Sequence, residues 1–121
     1  MSRVLVVDDD PNFRLVYGQV LSYGGYEVLE AETANDVFDV LRSEPVDLIV
    51  LDIKLRFESG LVVLQRIANE FPYLPVILCS AYESFQNDYT SWLADSYIVK
   101  SSDPEELLNE VNKVLSKRGK T

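Results

Sequence analysis

The sequence predicts an α/β fold, a doubly wound sheet of five parallel strands within one domain. Three observations predict it. Short β-branched, apolar runs alternate along the chain with segments whose apolar residues recur at helical spacing. The run Val46 to Leu51 carries one acid, Asp47, at its edge and is otherwise apolar, as a strand buried on both faces of a parallel sheet requires. Four of the strand-like runs end in polar residues: Asp8 and Asp9, Asp52, Ser80, and Lys100.

The chain has 121 residues, enough for a core of its own. One domain is expected over 1–121, with a core from 3 to 116 and a frayed basic tail from 117 to 121. Apolar residues make up 47%, which argues against disorder. The formal net charge of -9 argues against direct nucleic-acid binding and against an anionic membrane surface. Cys79 is the only cysteine, so no intrachain disulfide can form, and its apolar setting reads as a buried small hydrophobe. No stretch approaches the ~20 apolar residues of a membrane span. Strand-like sequence begins at Arg3, which leaves no room for a leader and makes the cytoplasm the expected location. The chain has no histidine, hence no histidine base, metal ligand or phosphohistidine.

Arg3 to Val7 reads as a buried strand that stops at Asp8-Asp9-Asp10. Asp10 fits an N-cap and Pro11 the first turn of a helix carrying Phe13, Val16, Tyr17, Val20 and Leu21, which Gly24-Gly25 ends. Tyr26 to Ala31 alternates apolar and acidic residues, as a strand nearer the sheet edge does. Thr33 with Asp36 resembles a capping box and opens a helix to about Arg42, broken by Glu44-Pro45. The central strand follows and Asp52 ends it. A polar loop from Arg56 to Ser59 leads to a third helix through Leu61, Leu64, Ile67, Ala68 and Phe71. Val76 to Cys79 is a fourth strand, ending at Ser80. Phe85, Tyr89, Trp92 and Leu93 space as a fourth helix. Tyr97 to Val99 is a short fifth strand, ending at Lys100. Asp103-Pro104-Glu105-Glu106 reads as a helix start with proline in the first helical position, and Leu107, Leu108, Val111, Val114 and Leu115 carry the fifth helix. Five strands alternating with five helices have a common solution, the flavodoxin-like sheet in the order 2-1-3-4-5.

In such a sheet every carboxyl end lies on one rim, so Asp8, Asp9, Asp52, Ser80 and Lys100 meet in one crevice. Three carboxylates about 5 Å apart repel by ~3 kcal/mol per pair at an effective dielectric of ~20. Lys100 compensates part of that. A divalent cation would compensate the rest, and hard carboxylate oxygens favour Mg2+. The plainer reading of Asp8-Asp9-Asp10, a helix-cap cluster, suits Asp10 best.

With these residues the chain resembles a response-regulator receiver domain of two-component signalling, of the single-domain chemotaxis-regulator kind. The resemblance runs from Val4 to about Leu115. Asp8-Asp9 resembles the family's acidic pair and Asp52 its phosphoacceptor. Leu55 through Ser59-Gly60 resembles the loop that follows. Ser80-Ala81 resembles the hydroxyl residue with its small neighbour, and Tyr97 with Lys100 the switch aromatic and the lysine.

The resemblance implies that Asp9, Asp52 and the backbone carbonyl of Lys54 hold Mg2+ directly, with Asp8 acting through a metal-bound water. It implies that Asp52 accepts a phosphoryl group from a sensor histidine kinase or phosphotransfer protein. Lys100 and Mg2+ would stabilise the transferred oxygens, and Ser80 would hydrogen-bond the phosphoryl group. Ser80 and Tyr97 would then switch the face made by the fourth helix, fifth strand and fifth helix, toward a downstream protein target or a homodimer. For Tyr97, ordinary core packing stands beside that reading. The aromatic residues Tyr82, Phe85, Tyr89, Trp92 and Tyr97 are likewise open between core packing and a docking face.

The sequence departs from the family pattern in three places. Ser101 stands where proline usually follows the lysine with a cis bond, and a cis bond before serine costs ~2.5–4 kcal/mol. The expectation is therefore a trans Lys100–Ser101 bond or a strained cis one. Arg56 stands where proline is common. Lys54 and Tyr82 lie two positions beyond Asp52 and Ser80, placed to slow attack of water on the phosphoryl group; an unchanged dephosphorylation rate in Lys54→Ala would contradict this for Lys54. Two other classes compete with the main reading of a non-enzymatic, phospho-accepting module. One is a degenerate receiver that docks partners without phosphorylation. The other is a Mg2+-dependent phosphohydrolase with an aspartyl-phosphate intermediate, weakened by Lys54 where a second aspartate is expected.

Overall fold

The computed structural model describes residues 2–81, 92–100 and 103–117. Its strands are β1 (Arg3–Val7), β2 (Glu27–Ala31), β3 (Leu48–Asp52), β4 (Val76–Ser80) and β5 (Ser96–Val99). They form one parallel sheet in the order β2-β1-β3-β4-β5. The helices are α1 (Pro11–Tyr23), α2 (Ala34–Ser43), α3 (Gly60–Glu70) and α4 (Glu105–Lys117). The flavodoxin-like order predicted from the sequence is the order observed.

The period-2 pleat explains why the inner strands are apolar throughout. Leu5, Val7, Ile49, Leu51, Val76 and Leu78 point to one face, where Val37 and Phe38 of α2 and Val63, Leu64 and Ile67 of α3 cover them. The alternate residues Val4, Val6, Leu48, Val50, Ile77 and Cys79 point to the other, under Tyr17 and Leu21 of α1 and Leu107, Val111, Val114 and Leu115 of α4. β2, at the edge, keeps Glu27 and Glu30 exposed.

The helix ends follow the predicted chemistry. Asp10 caps α1, accepting from the Asn12 N–H at 2.9 Å, with Pro11 next. Gly24 closes it, and Gly25 turns the chain into β2 with φ 96°, a region glycine enters without steric cost. The Thr33 hydroxyl accepts from the Asp36 N–H at 3.2 Å, while the Asp36 carboxylate reaches back to the Glu32 N–H at 3.4 Å.

Some boundaries differ from the prediction. Four helices are found among the described residues, not five. The expected fourth helix falls largely on residues 82–91, outside the described residues, and Trp92 and Leu93 lie in a short 3-10 turn. The Lys100–Ser101 bond, Tyr82 and residues 118–121 also lie outside them. β3 begins at Leu48, because Asp47 bends aside to exchange hydrogen bonds with the Arg3 backbone, at 2.8 and 2.9 Å. Asp52 ends β3, as the sequence reading has it. α4 starts after Pro104, with the Asp103 carboxylate accepting from the Glu105 N–H at 3.0 Å.

Candidate functional site

The carboxyl ends of the parallel strands lie on one rim. Asp8 follows β1, Asp52 and Ser80 end β3 and β4, and Lys100 follows β5. Asp8, Asp52 and Ser80 are buried. The Lys100 Nζ donates to Asp8 Oδ2 at 2.8 Å and lies 3.4 Å from Asp52 Oδ2. Each of Asp8, Asp9 and Asp52 offers an oxygen within 4.8 Å of the others. Three hard oxygen donors at that spacing fit a small divalent cation and suit no soft metal.

Each member is held by its own element. The other oxygen of Asp8 accepts from the Asp10 N–H at 2.9 Å, and the Asp8 carbonyl accepts from the Arg14 guanidinium at 2.5 Å. The Lys100 N–H donates to the Ser80 carbonyl at 2.6 Å, which extends the β4–β5 pairing to the lysine itself. Lys54 is exposed. Its N–H donates to the Asp52 carboxylate, and it pairs across the loop with Ser59. Ser59 caps α3, and the Gly60 N–H donates to the Ile53 carbonyl at 2.6 Å. A side chain at Gly60 would lie 2.8 Å from Ile53 Cα and nearer still to the Asp52 carbonyl oxygen. Only glycine lets α3 start that close to the end of β3.

The electrostatics follow from burial. Burial, reinforced by the charge of Asp8, pushes the Asp52 carboxyl up to about 6, against the opposing pull of Lys100. Burial works against the Lys100 charge, but the hydrogen bond to Asp8 and the fields of Asp52 and Asp8 outweigh it and raise its pKa. Tyr97 is half-buried on β5, packs against the core and shares a hydrogen bond with Ser80; burial raises its phenol.

Three neighbours were not singled out from the sequence. Phe13 reads there as a helix core position, yet its ring centre lies 4.0 Å from the Lys100 Nζ. Arg14, on α1, donates from its guanidinium to the Asp8 carbonyl. Tyr17 is buried beneath the crevice with its hydroxyl 3.9 Å from the Cys79 sulfur. Arg56 lies by the exposed Phe57 ring, 5.9 Å from its centre. A cavity of about 430 Å3 lined by Leu41, Pro45, Val46, Phe71 and Pro75 lies at the amino ends of β3 and β4, the opposite end from the carboxylates. The charged groups converge in the crevice instead.

Together the sheet and the crevice define a class: a doubly wound α/β domain with an acidic, lysine-bearing pocket at its carboxyl rim. The chain belongs to the response regulator receiver domain family, whose model matches residues 4–112. Receiver domains of this family are signalling modules of two-component systems. The chain is 32% identical over 120 residues to the probable transcriptional regulatory protein TcrX of Mycobacterium tuberculosis, covering 98% of this chain and 51% of that protein. It spans about half, or less, of the length of the curated relatives it matches. Its fold matches the response regulator TrrA of Thermotoga maritima, solved in complex with Mg2+-BeF, with a TM-score of 0.91 and 39% identity over 95% of this chain and 100% of that one. It also matches TrrA in its complex with the histidine kinase ThkA, with a TM-score of 0.88 and 39% identity over 95% of this chain and 99% of that one.

Proposed function

We propose that this chain is a phospho-accepting receiver that works in the cytoplasm and takes a phosphoryl group on Asp52 from a histidine kinase or phosphotransfer protein. The observation that carries the reading is the burial of Asp52 against Asp8, within reach of the Lys100 amine. A carboxylate kept there at an electrostatic cost is a reactive group rather than a packing element.

An Asp52 oxygen forms a bond to phosphorus as the phosphorus–nitrogen bond of the donor phosphohistidine breaks and the imidazole leaves with the electron pair. No general base is required, because the attacking group is an anion once ionised. Lys100 donates to the transferred oxygens, and the Ser80 hydroxyl donates to the phosphoryl group in the product. Asp9, Asp52 and the Lys54 carbonyl would hold Mg2+, with Asp8 acting through a water. Both Asp8 oxygens carry hydrogen bonds already, which favours that division. When bound, Mg2+ supplies charge neutralisation for the phosphoryl oxygens. The hydrogen bond between Ser80 and Tyr97 supports a switch: turning Ser80 toward the phosphoryl group releases Tyr97. That alters the surface of β5, α4 and the preceding segment, offered to a downstream protein or a second copy of the chain.

The test is intact mass after incubation with Mg2+ and acetyl phosphate. One phosphate is gained by the wild type and none by Asp52→Asn. A wild type that gains none, with Mg2+ present, refutes the proposal.

A further inference from the structure

Lys100 has a third neighbour besides its two carboxylates. Its ammonium sits over the ring of Phe13, 4.0 Å from the centre, while donating to Asp8 at 2.8 Å. Phe13 lies near the start of α1 and is half-buried. Its ring packs on that of Tyr17, centre to centre 5.7 Å, and Tyr17 is anchored in the core beside Cys79. The ring is thus fixed from below and presents its face to the crevice.

We infer that Phe13 is a positioning residue for Lys100, holding the ammonium over the crevice while the neighbouring carboxylates are engaged by a divalent cation. The inference rests on reading Asp52 as the phosphoacceptor. Two of the three attractions on Lys100 come from Asp8 and Asp52, and both belong to the acidic trio suited to such a cation. A bound dication takes up carboxylate charge and repels the ammonium. The Phe13 ring has no formal charge and is no ligand for a hard cation, so its attraction for the amine persists. Without it, a flexible four-carbon stem is free to carry the amine out to solvent.

A ring that only fills space could be replaced by methionine. The test therefore compares Phe13→Met with Phe13→Tyr, which keeps the aromatic face; Phe13→Leu serves if the methionine variant folds poorly. The first readout is the NMR position of the Lys100 Hε protons, with and without Mg2+. A proton above an aromatic face is shifted upfield. That shift is expected in the wild type, persisting with Mg2+, kept in Phe13→Tyr and lost in Phe13→Met. The second is phosphorylation by acetyl phosphate. The maximal rate is expected to fall roughly fivefold in Phe13→Met, within the range of a partly desolvated cation–π contact. Half-saturating donor and Mg2+ concentrations should stay within twofold, and Phe13→Tyr should keep the wild-type rate. Wild-type rates in Phe13→Met, or unshifted Lys100 protons in the Mg2+-loaded wild type, overturn the inference. A wild type that shows the shift but takes no phosphate refutes the phosphoacceptor reading and leaves the positioning contact established.

Discussion

Asp52→Asn should make the metal-free protein more stable at neutral pH. The carboxyl is buried and pushed up to about 6 by desolvation and by Asp8. An unfolded chain ionises it near 3.9. Each unit of pKa corresponds to about 1.4 kcal/mol, so ionising Asp52 in the fold costs about 3 kcal/mol relative to the unfolded chain. The sign follows from the direction of the shift. A raised pKa contributes stability that is fully present below pH about 4 and is lost as the pH rises through about 6. Asparagine has nearly the same shape and never ionises. It gives up a 3.4 Å approach of Lys100, which keeps its 2.8 Å bond to Asp8.

Urea unfolding in EDTA at pH 4.5, 6 and 7.5 measures the gap between variant and wild type. Groups that titrate alike in both proteins cancel in the difference. The gap should be about 1 kcal/mol at pH 4.5 and reach roughly 2–3 kcal/mol in favour of the variant at pH 7.5. Saturating Mg2+ should close it by stabilising the wild type, by about 2.7 kcal/mol at a hundred times its dissociation constant. A variant no more stable than wild type at pH 7.5, or a gap that does not change with pH, refutes the reasoning.

Two further substitutions test how the crevice is supported. Gly60→Ala drives a methyl group into the Asp52 and Ile53 backbone and should cost about 2 kcal/mol or more in urea unfolding; a change under about 0.5 kcal/mol would show that the approach of α3 can relax. Asp10→Ala removes the cap on α1 and should cost about 1 kcal/mol, yet leave Mg2+ affinity by calorimetry within twofold, since the Asp10 N–H still holds Asp8.

The residues that sequence identifies best are those whose role is written in their own neighbourhood. Leu48 to Leu51 are apolar on both faces of the pleat because helices cover both faces, so the central strand is legible without knowing which helices they are. The crevice residues are legible because a polar residue ending an apolar strand is conspicuous, and parallel topology brings all such ends to one rim. Gly60 is different. Its need for a missing side chain arises from the distance between two elements, and in sequence it is merely a glycine after a serine. Phe13 is hidden for the opposite reason: an aromatic residue at helical spacing satisfies the core pattern completely, so nothing marks the face it turns to Lys100. The bend at Asp47 and the later start of α4 depend on local hydrogen bonds, with Arg3 and Asp103, that periodicity does not encode.

The charge inventory of the crevice links its stability to its proposed use. Three carboxylates and one ammonium leave two negative charges uncompensated among Asp8, Asp9, Asp52 and Lys100. Burial and that excess together raise the Asp52 carboxyl to about 6. One divalent cation would neutralise the same two charges, and in the proposed reaction it would also supply a counter-charge for the phosphoryl oxygens. The imbalance that costs stability is therefore what would draw a cation to Asp52. Replacing Asp8 by asparagine would lower the excess, ionise Asp52 more readily and weaken cation binding together. Each effect has its origin in the same pair of buried carboxylates at the ends of β1 and β3.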